Sequence, residues 1–123
     1  MPEYDTHKAP CTNISVSIPR SLDIYLISSK DNSLDKTILL KRGFGMTIEE
    51  FIGSANYLTA YGAKNVVLCE RGIRTFEKYT RNTLDLSVVP LVKKLTHLPI
   101  IIDPSHATGK WDLVESMSLA AVA

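Results

Sequence analysis

The sequence is short of cysteine, of long apolar runs and of like-charged blocks, and each shortage excludes something. Its two cysteines, Cys11 and Cys69, stand far apart and form no closely spaced pair, so there is neither a zinc knuckle nor a secreted disulfide framework. A reducing cytoplasm is the expected compartment. The longest apolar runs are strand-sized, too short for a membrane-spanning helix. The N-terminus opens with Pro2, Glu3 and Asp5, where a signal peptide would have a basic and then an apolar segment. Lys and Arg are interspersed with Asp and Glu, leaving a net charge of +1 and no basic stripe for nucleic acid. The expected partners therefore include neither a membrane nor a nucleic acid.

What the chain does have is enough apolar material for one small core, 45% of 123 residues. Residues 1–33 mix Pro, Ser, Asn and Asp around one short apolar stretch, Ile24 to Ile27, and keep neither a helical nor a strand period. They read as a leader. From Thr37 the texture becomes regular. An apolar strand, Thr37 to Leu40, runs into Lys41, Arg42 and Gly43. Thr47 and Glu50 then have the spacing of a capping box, and Ile48, Phe51, Ile52, Ala55 and Leu58 recur on one helical face. Gly62 supplies a residue suited to the left-handed turn that closes helices, which predicts a helix over 48–61.

A second strand, Val66 to Cys69, ends in Glu70, Arg71 and Gly72. Beyond a polar stretch, Asp85 or Ser87 is placed to cap a helix with the apolar face Val88, Leu91, Val92 and Leu95, Pro90 lying in its first turn. Leu98 to Ile102 predicts a third strand, ending in Asp103, Pro104, Ser105 and His106, and an Ala-rich helix follows from about Trp111. Strand and helix alternating with fully apolar strands is the pattern of right-handed βαβ units, and it predicts an α/β fold whose parallel sheet is buried on both faces. In such sheets functional groups collect at the carboxyl ends of the strands. Lys41, Arg71 and His106 should thus face one pocket.

The residues alone leave their roles open. Lys41 and Arg71 suit a small dianion, because phosphate and carboxylate need several donors at fixed angles, but strand-end cations also serve in ordinary salt bridges. His106 fits a metal ligand, a proton carrier or a hydrogen-bonded loop histidine. His97 belongs to a helix-to-strand loop at the opposite edge and should be solvated. Cys69 reads as an inert core thiol, and Tyr57, Tyr61 and Trp111 as packing. The stretch from Arg74 to Asp85, with Lys78 and Arg81, suits either a solvated or a substrate-facing loop.

Five runs share an order and spacing: Ile38 to Gly43, Val67 to Glu77, Thr80 to Ser87, Thr96 to Pro99, and Asp103 to His106. Together they resemble the 3-deoxy-arabino-heptulosonate 7-phosphate (DAHP) synthases of the branch related to octulosonate-phosphate synthases, over roughly residues 34–123. The resemblance implies a (β/α)8 barrel of which these segments are the fifth to seventh βα units. It also implies an aldol-type transferase that joins phosphoenolpyruvate to erythrose 4-phosphate on the way to aromatic amino acids. It maps Lys41 and Arg71 onto the cations that bind phosphoenolpyruvate, and His106 onto a histidine that lies near that substrate and ligates a divalent metal such as Mn, Fe or Zn. Such enzymes also need a cysteine ligand from an early strand and a glutamate and an aspartate from the end of the barrel, and none is recognisable here. The chain is therefore expected to be a fragment, inactive alone, that associates into a homo-oligomer through its uncovered surfaces. The alternatives are an octulosonate-phosphate synthase and a non-catalytic association module.

Overall fold

The fold is known from a computed structural model, which describes residues 14–17 and 37–123. Its four strands are β1 (Ile14–Ser17), β2 (Thr37–Lys41), β3 (Asn65–Glu70) and β4 (Ile100–Ile102), hydrogen-bonded in that order and all parallel. The helices are α1 (Ile48–Ala60), α2 (Val88–Leu95), the short α3 (Pro104–Thr108) and α4 (Val114–Val122), the last led by a 3-10 turn at Trp111–Leu113. This is the α/β alternation that the apolar pattern predicts. Strand β1 falls within residues 1–33, where no element is expected; its signal is the four-residue alternation Ile14, Ser15, Val16, Ser17, too short to stand out as a period.

Helix α1 starts where its capping box predicts. Thr47 Oγ1 accepts from the Glu50 N–H and the Glu50 carboxylate accepts from the Thr47 N–H, so two otherwise unpaired donors are satisfied. Just past its end Gly62 takes φ +98°. The helix lays Phe51, Ala55 and Leu58 on Ile38, Leu40, Val66 and Leu68, and Val88 and Val92 of α2 complete the same core. Each such large side chain withdrawn from water contributes on the order of 1.5–3 kcal/mol.

Strand alternation divides the sheet. Ile38, Leu40, Val66 and Leu68 turn to the helices and are buried, whereas on the other face Leu39 and Val67 are only half-buried and Ile101 is 46% exposed. The expected burial of both faces is thus met only in part among the described residues: one face carries the helices, while on the other Cys69 is buried but Leu39, Val67 and Ile101 have no comparable layer against them. The expected apolar stripe of α2 is split likewise, with Val88 and Val92 inside and Leu91 and Leu95 outside.

Three local expectations need correction. Neither Asp85 nor Ser87 caps α2 with its side chain: Asp85 is engaged by Arg42, and the Ser87 hydroxyl donates to Asp85. The third strand is limited to three residues because Pro99 has no N–H and the Leu98 N–H turns to Thr96 Oγ1, although Pro99 still accepts from the Leu68 N–H. Trp111 does not pack but stands 88% exposed, whereas Tyr57 packs against the core as expected and the exposed Tyr61 sets its ring against Tyr57, centroids 4.6 Å apart.

Candidate active site at the carboxyl edge of the sheet

At the carboxyl edge the chain makes three loops, and the longest ties the others together. Between β3 and α2, Arg74 N–H donates to Phe44 C=O in the loop after β2, while Arg81 and Asn82 N–H donate to Thr108 and Ala107 C=O in α3. The same loop closes on itself by an antiparallel bridge between Ile73 and Thr83. Gly72 makes the approach possible. It sits at φ +99°, and a Cβ there would lie 2.8 Å from both Ala107 Cα and Asn82 Cβ.

Beneath the loops lies a buried ion network. Arg42 Nη1 donates to Glu70 Oε2 and to Asp85 Oδ2, each at 2.8 Å, and Arg42 Nε donates to Met46 C=O. Glu70, fully buried, also accepts the Gly72 N–H through Oε1. Burial pushes the Glu70 carboxyl above its usual range against the pull of Arg42. Burial alone would raise Asp85 too, but hydrogen bonds from Ser87 and Arg42 outweigh it and hold Asp85 below the usual carboxylate range. Sequence reasoning assigned these three residues no joint role; the adjacency of Arg42 and Glu70 follows only from the pairing of Lys41 with Cys69 across β2 and β3.

Around this base stand the three predicted site residues. Lys41 Nζ lies 3.8 Å from Asp103 Oδ2, and the same oxygen is 2.6 Å from His106 Nδ1, so Lys41 and His106 meet on one carboxylate. Asp103 Oδ1 accepts the Ser105 hydroxyl and the His106 N–H, capping α3. Burial would raise the Asp103 pKa, but the hydrogen bonds from His106 and Ser105 bring it below the usual carboxylate range. Arg71 is not drawn into that contact. Its guanidinium lies 4.2 Å from the centroid of the Phe44 ring, with Arg74 at 6.0 Å from the same ring, and its Nε is buried without a hydrogen-bond partner among the described residues. Cys69 lies within the electrostatic reach of Lys41, Arg71 and Asp103; burial foremost, then Asp103, pushes its thiol up to about 11, as suits an inert core thiol. His97 is exposed before β4, at the opposite end of the strand from His106. Asp103 and Phe44 were not singled out from the sequence. The spacing of Asp103, Pro104 and Gly109 around a short helix was the available signal for the first; Phe44 had none.

His106 offers one imidazole nitrogen to a metal. Among the described residues no group of three or more His, Cys, Asp or Glu side chains converges to hold one.

Comparison with known proteins gives a consistent result. A sequence profile of the DAHP synthetase I family matches residues 26–123. A phospho-2-dehydro-3-deoxyheptonate aldolase of Thermotoga maritima is 55% identical over 104 residues, covering 85% of this chain and 31% of the relative. A truncated form of 3-deoxy-D-arabino-heptulosonate 7-phosphate synthase from Thermotoga maritima superposes with a TM-score of 0.80 at 50% identity, covering 88% of this chain and 40% of that one. A crystal structure of the aldolase from the same organism gives 0.75 at 56% identity, covering 81% and 29%. The chain thus spans about a third of the length of the curated relative it matches.

Proposed function

Because the chain belongs to the DAHP synthetase I family, we propose that it supplies part of a (β/α)8 barrel and part of the active site of a DAHP synthase. The reaction joins phosphoenolpyruvate to erythrose 4-phosphate and releases inorganic phosphate, in a cytoplasmic enzyme of aromatic amino acid synthesis. On this reading residues 34–123 are the fifth to seventh βα units, and β1, parallel to β2, takes the place of the strand before them. The observation that carries the reading is Arg71: a guanidinium at a strand end whose buried Nε has no hydrogen-bond partner among the described residues, one strand from a Lys41 whose contact with Asp103 is too long for a hydrogen bond. Both are cations with binding capacity to spare, which suits an incoming phosphate and carboxylate.

Lys41 and Arg71 hold and neutralise the phosphoenolpyruvate anion, so that its C3 is presented to the aldehyde. C3 bonds to the aldehyde carbon, water adds at C2, and phosphate leaves from C2. A divalent metal, held in part by His106 and otherwise by ligands that the described residues do not supply, would contribute Lewis acidity. The half-buried Leu39 and Val67 and the exposed Ile101, Leu91 and Leu95 favour association, with the rest of a barrel or with further copies. They equally support the second reading, in which these 123 residues alone do not turn over.

A chimera tests this, with residues 37–123 replacing the matching stretch of the Thermotoga maritima relative. It is expected to make DAHP from erythrose 4-phosphate, whereas preference for arabinose 5-phosphate would move the assignment to octulosonate-phosphate synthase. Lys41→Ala and Arg71→Ala should each raise the KM for phosphoenolpyruvate by about 30-fold or more, the usual cost of stranding part of a buried charged ligand. His97→Ala should change neither KM nor kcat. An Arg71 variant with an unaltered KM would sink the assignment.

A further inference from the structure

Among the described residues the carboxylate of Asp103 meets both Lys41 and His106. Oδ1 is committed to the backbone of α3, accepting the His106 N–H at 3.1 Å. Oδ2 is shared between His106 Nδ1 at 2.6 Å and Lys41 Nζ at 3.8 Å. The two partners of Oδ2 are held differently. An ionised carboxylate only accepts, so the short contact requires the hydrogen of the ring to sit on Nδ1, which leaves Nε2 of a neutral His106 with its lone pair free. The longer contact with Lys41 is beyond hydrogen-bonding range and is a Coulombic pairing that another anion can displace.

We propose that Asp103 is a positioning residue that couples the two halves of the site: it orients His106 through Nδ1 and stands in for the substrate anion at Lys41 while the site is empty. This rests on the reading of Lys41 as a phosphoenolpyruvate ligand. When the anion arrives, Lys41 turns to it and Oδ2 is left to the histidine alone. The imidazole then faces a less neutralised carboxylate, which draws the Nδ1 hydrogen more strongly. Binding of the anion at Lys41 is thereby felt at the His106 ring. The price is a weaker grip on the anion than a free Lys41 would give.

The test uses the 123-residue chain and nitrogen-15 spectra of its His106 ring, recorded at about pH 8.5, roughly two units above the ordinary histidine value. Without ligand, the wild-type ring should be in the Nδ1–H form. In Asp103→Ser, which retains a side-chain oxygen to cap α3 but cannot reach the ring, it should become a mixture. A wild-type ring in the Nε2–H form, or an unchanged Asp103→Ser spectrum, overturns the orienting role. Phosphoenolpyruvate is then titrated into wild type and Asp103→Asn. The wild-type Nδ1 resonance should move with saturation, and Asp103→Asn should bind about two- to fivefold more tightly, the scale set by a partly exposed ion pair. A merely structural Asp103 would make the variant bind more weakly, and that result, or a stationary Nδ1 resonance during saturation, overturns the coupling. If wild type binds no phosphoenolpyruvate, the substrate reading and the coupling both fall, and the ligand-free spectra still judge the orienting role.

Discussion

Two pairs of residues, consecutive in sequence, meet opposite fates at the ends of β2 and β3. Lys41 and Arg42 are neighbours, as are Glu70 and Arg71. Arg42 and Glu70 continue the face of the sheet that carries the helices, and there they neutralise each other in a buried network with Asp85. Lys41 and Arg71 continue the other face. Among the described residues Lys41 has a long contact to Asp103, and the buried Nε of Arg71 has no hydrogen-bond partner. Charged residues in the same few positions are thus divided between the buried network and the other face of the sheet by a one-residue offset, because side chains alternate along a strand. The inner pair also supports the outer one: Glu70 holds the Gly72 N–H, which fixes the backbone on either side of Arg71.

The largest expected effect comes from breaking the inner pair. Glu70→Ala should destabilise the chain by about 3 kcal/mol, the lower end of the cost of stranding a buried charge, because Arg42 still has Asp85. The midpoint of urea unfolding measures it. A loss well under 1 kcal/mol would mean that the inner network is not structural, and the contrast between the pairs would collapse. Next comes Gly72→Ala, where a left-handed φ and a Cβ 2.8 Å from Ala107 Cα should together cost about 2 kcal/mol. Since the strain falls on the backbone beside Arg71, this variant should also weaken phosphoenolpyruvate binding, which Glu50→Ala at the far helix cap should not. Equal binding losses in both would show general unfolding instead of local support.

The smallest effect sharpens the comparison through pH. Asp85 and Asp103 have folded pKa values below their usual range, so below about pH 4 the unfolded chain takes up more protons than the folded one. Stability is therefore present above that point and is lost as pH falls through the folded values. Glu70, raised by burial, acts in the opposite sense: stability falls as pH rises from its unfolded value of about 4.3 towards its folded one. Unfolding midpoints taken from pH 2 to 6 should thus rise and then dip slightly, with Asp85→Asn flattening the rise by about 1 kcal/mol or less and Glu70→Gln removing the dip. A rise untouched by Asp85→Asn would place the acid sensitivity elsewhere.

Much of this was legible in the residues. Thr47 and Glu50 announced the start of α1, the apolar runs announced β2 and β3, and their charged ends pointed to Lys41 and Arg71, since capping and strand periodicity are local and leave a local trace. The ordered runs around Arg71 and His106 identified the family. What tertiary structure alone decided were relations between distant segments. Pairing Lys41 with Cys69 set Arg42 beside Glu70, and the return of the β3–α2 loop brought Asp85 to the same guanidinium. The end of β4 carried Asp103 to within reach of Lys41. Which sheet face carries the helices, and hence which member of each charged pair joins the buried network, is likewise a matter of where helices pack. No spacing along the chain encodes these choices, because each depends on the register and layering of strands dozens of residues apart.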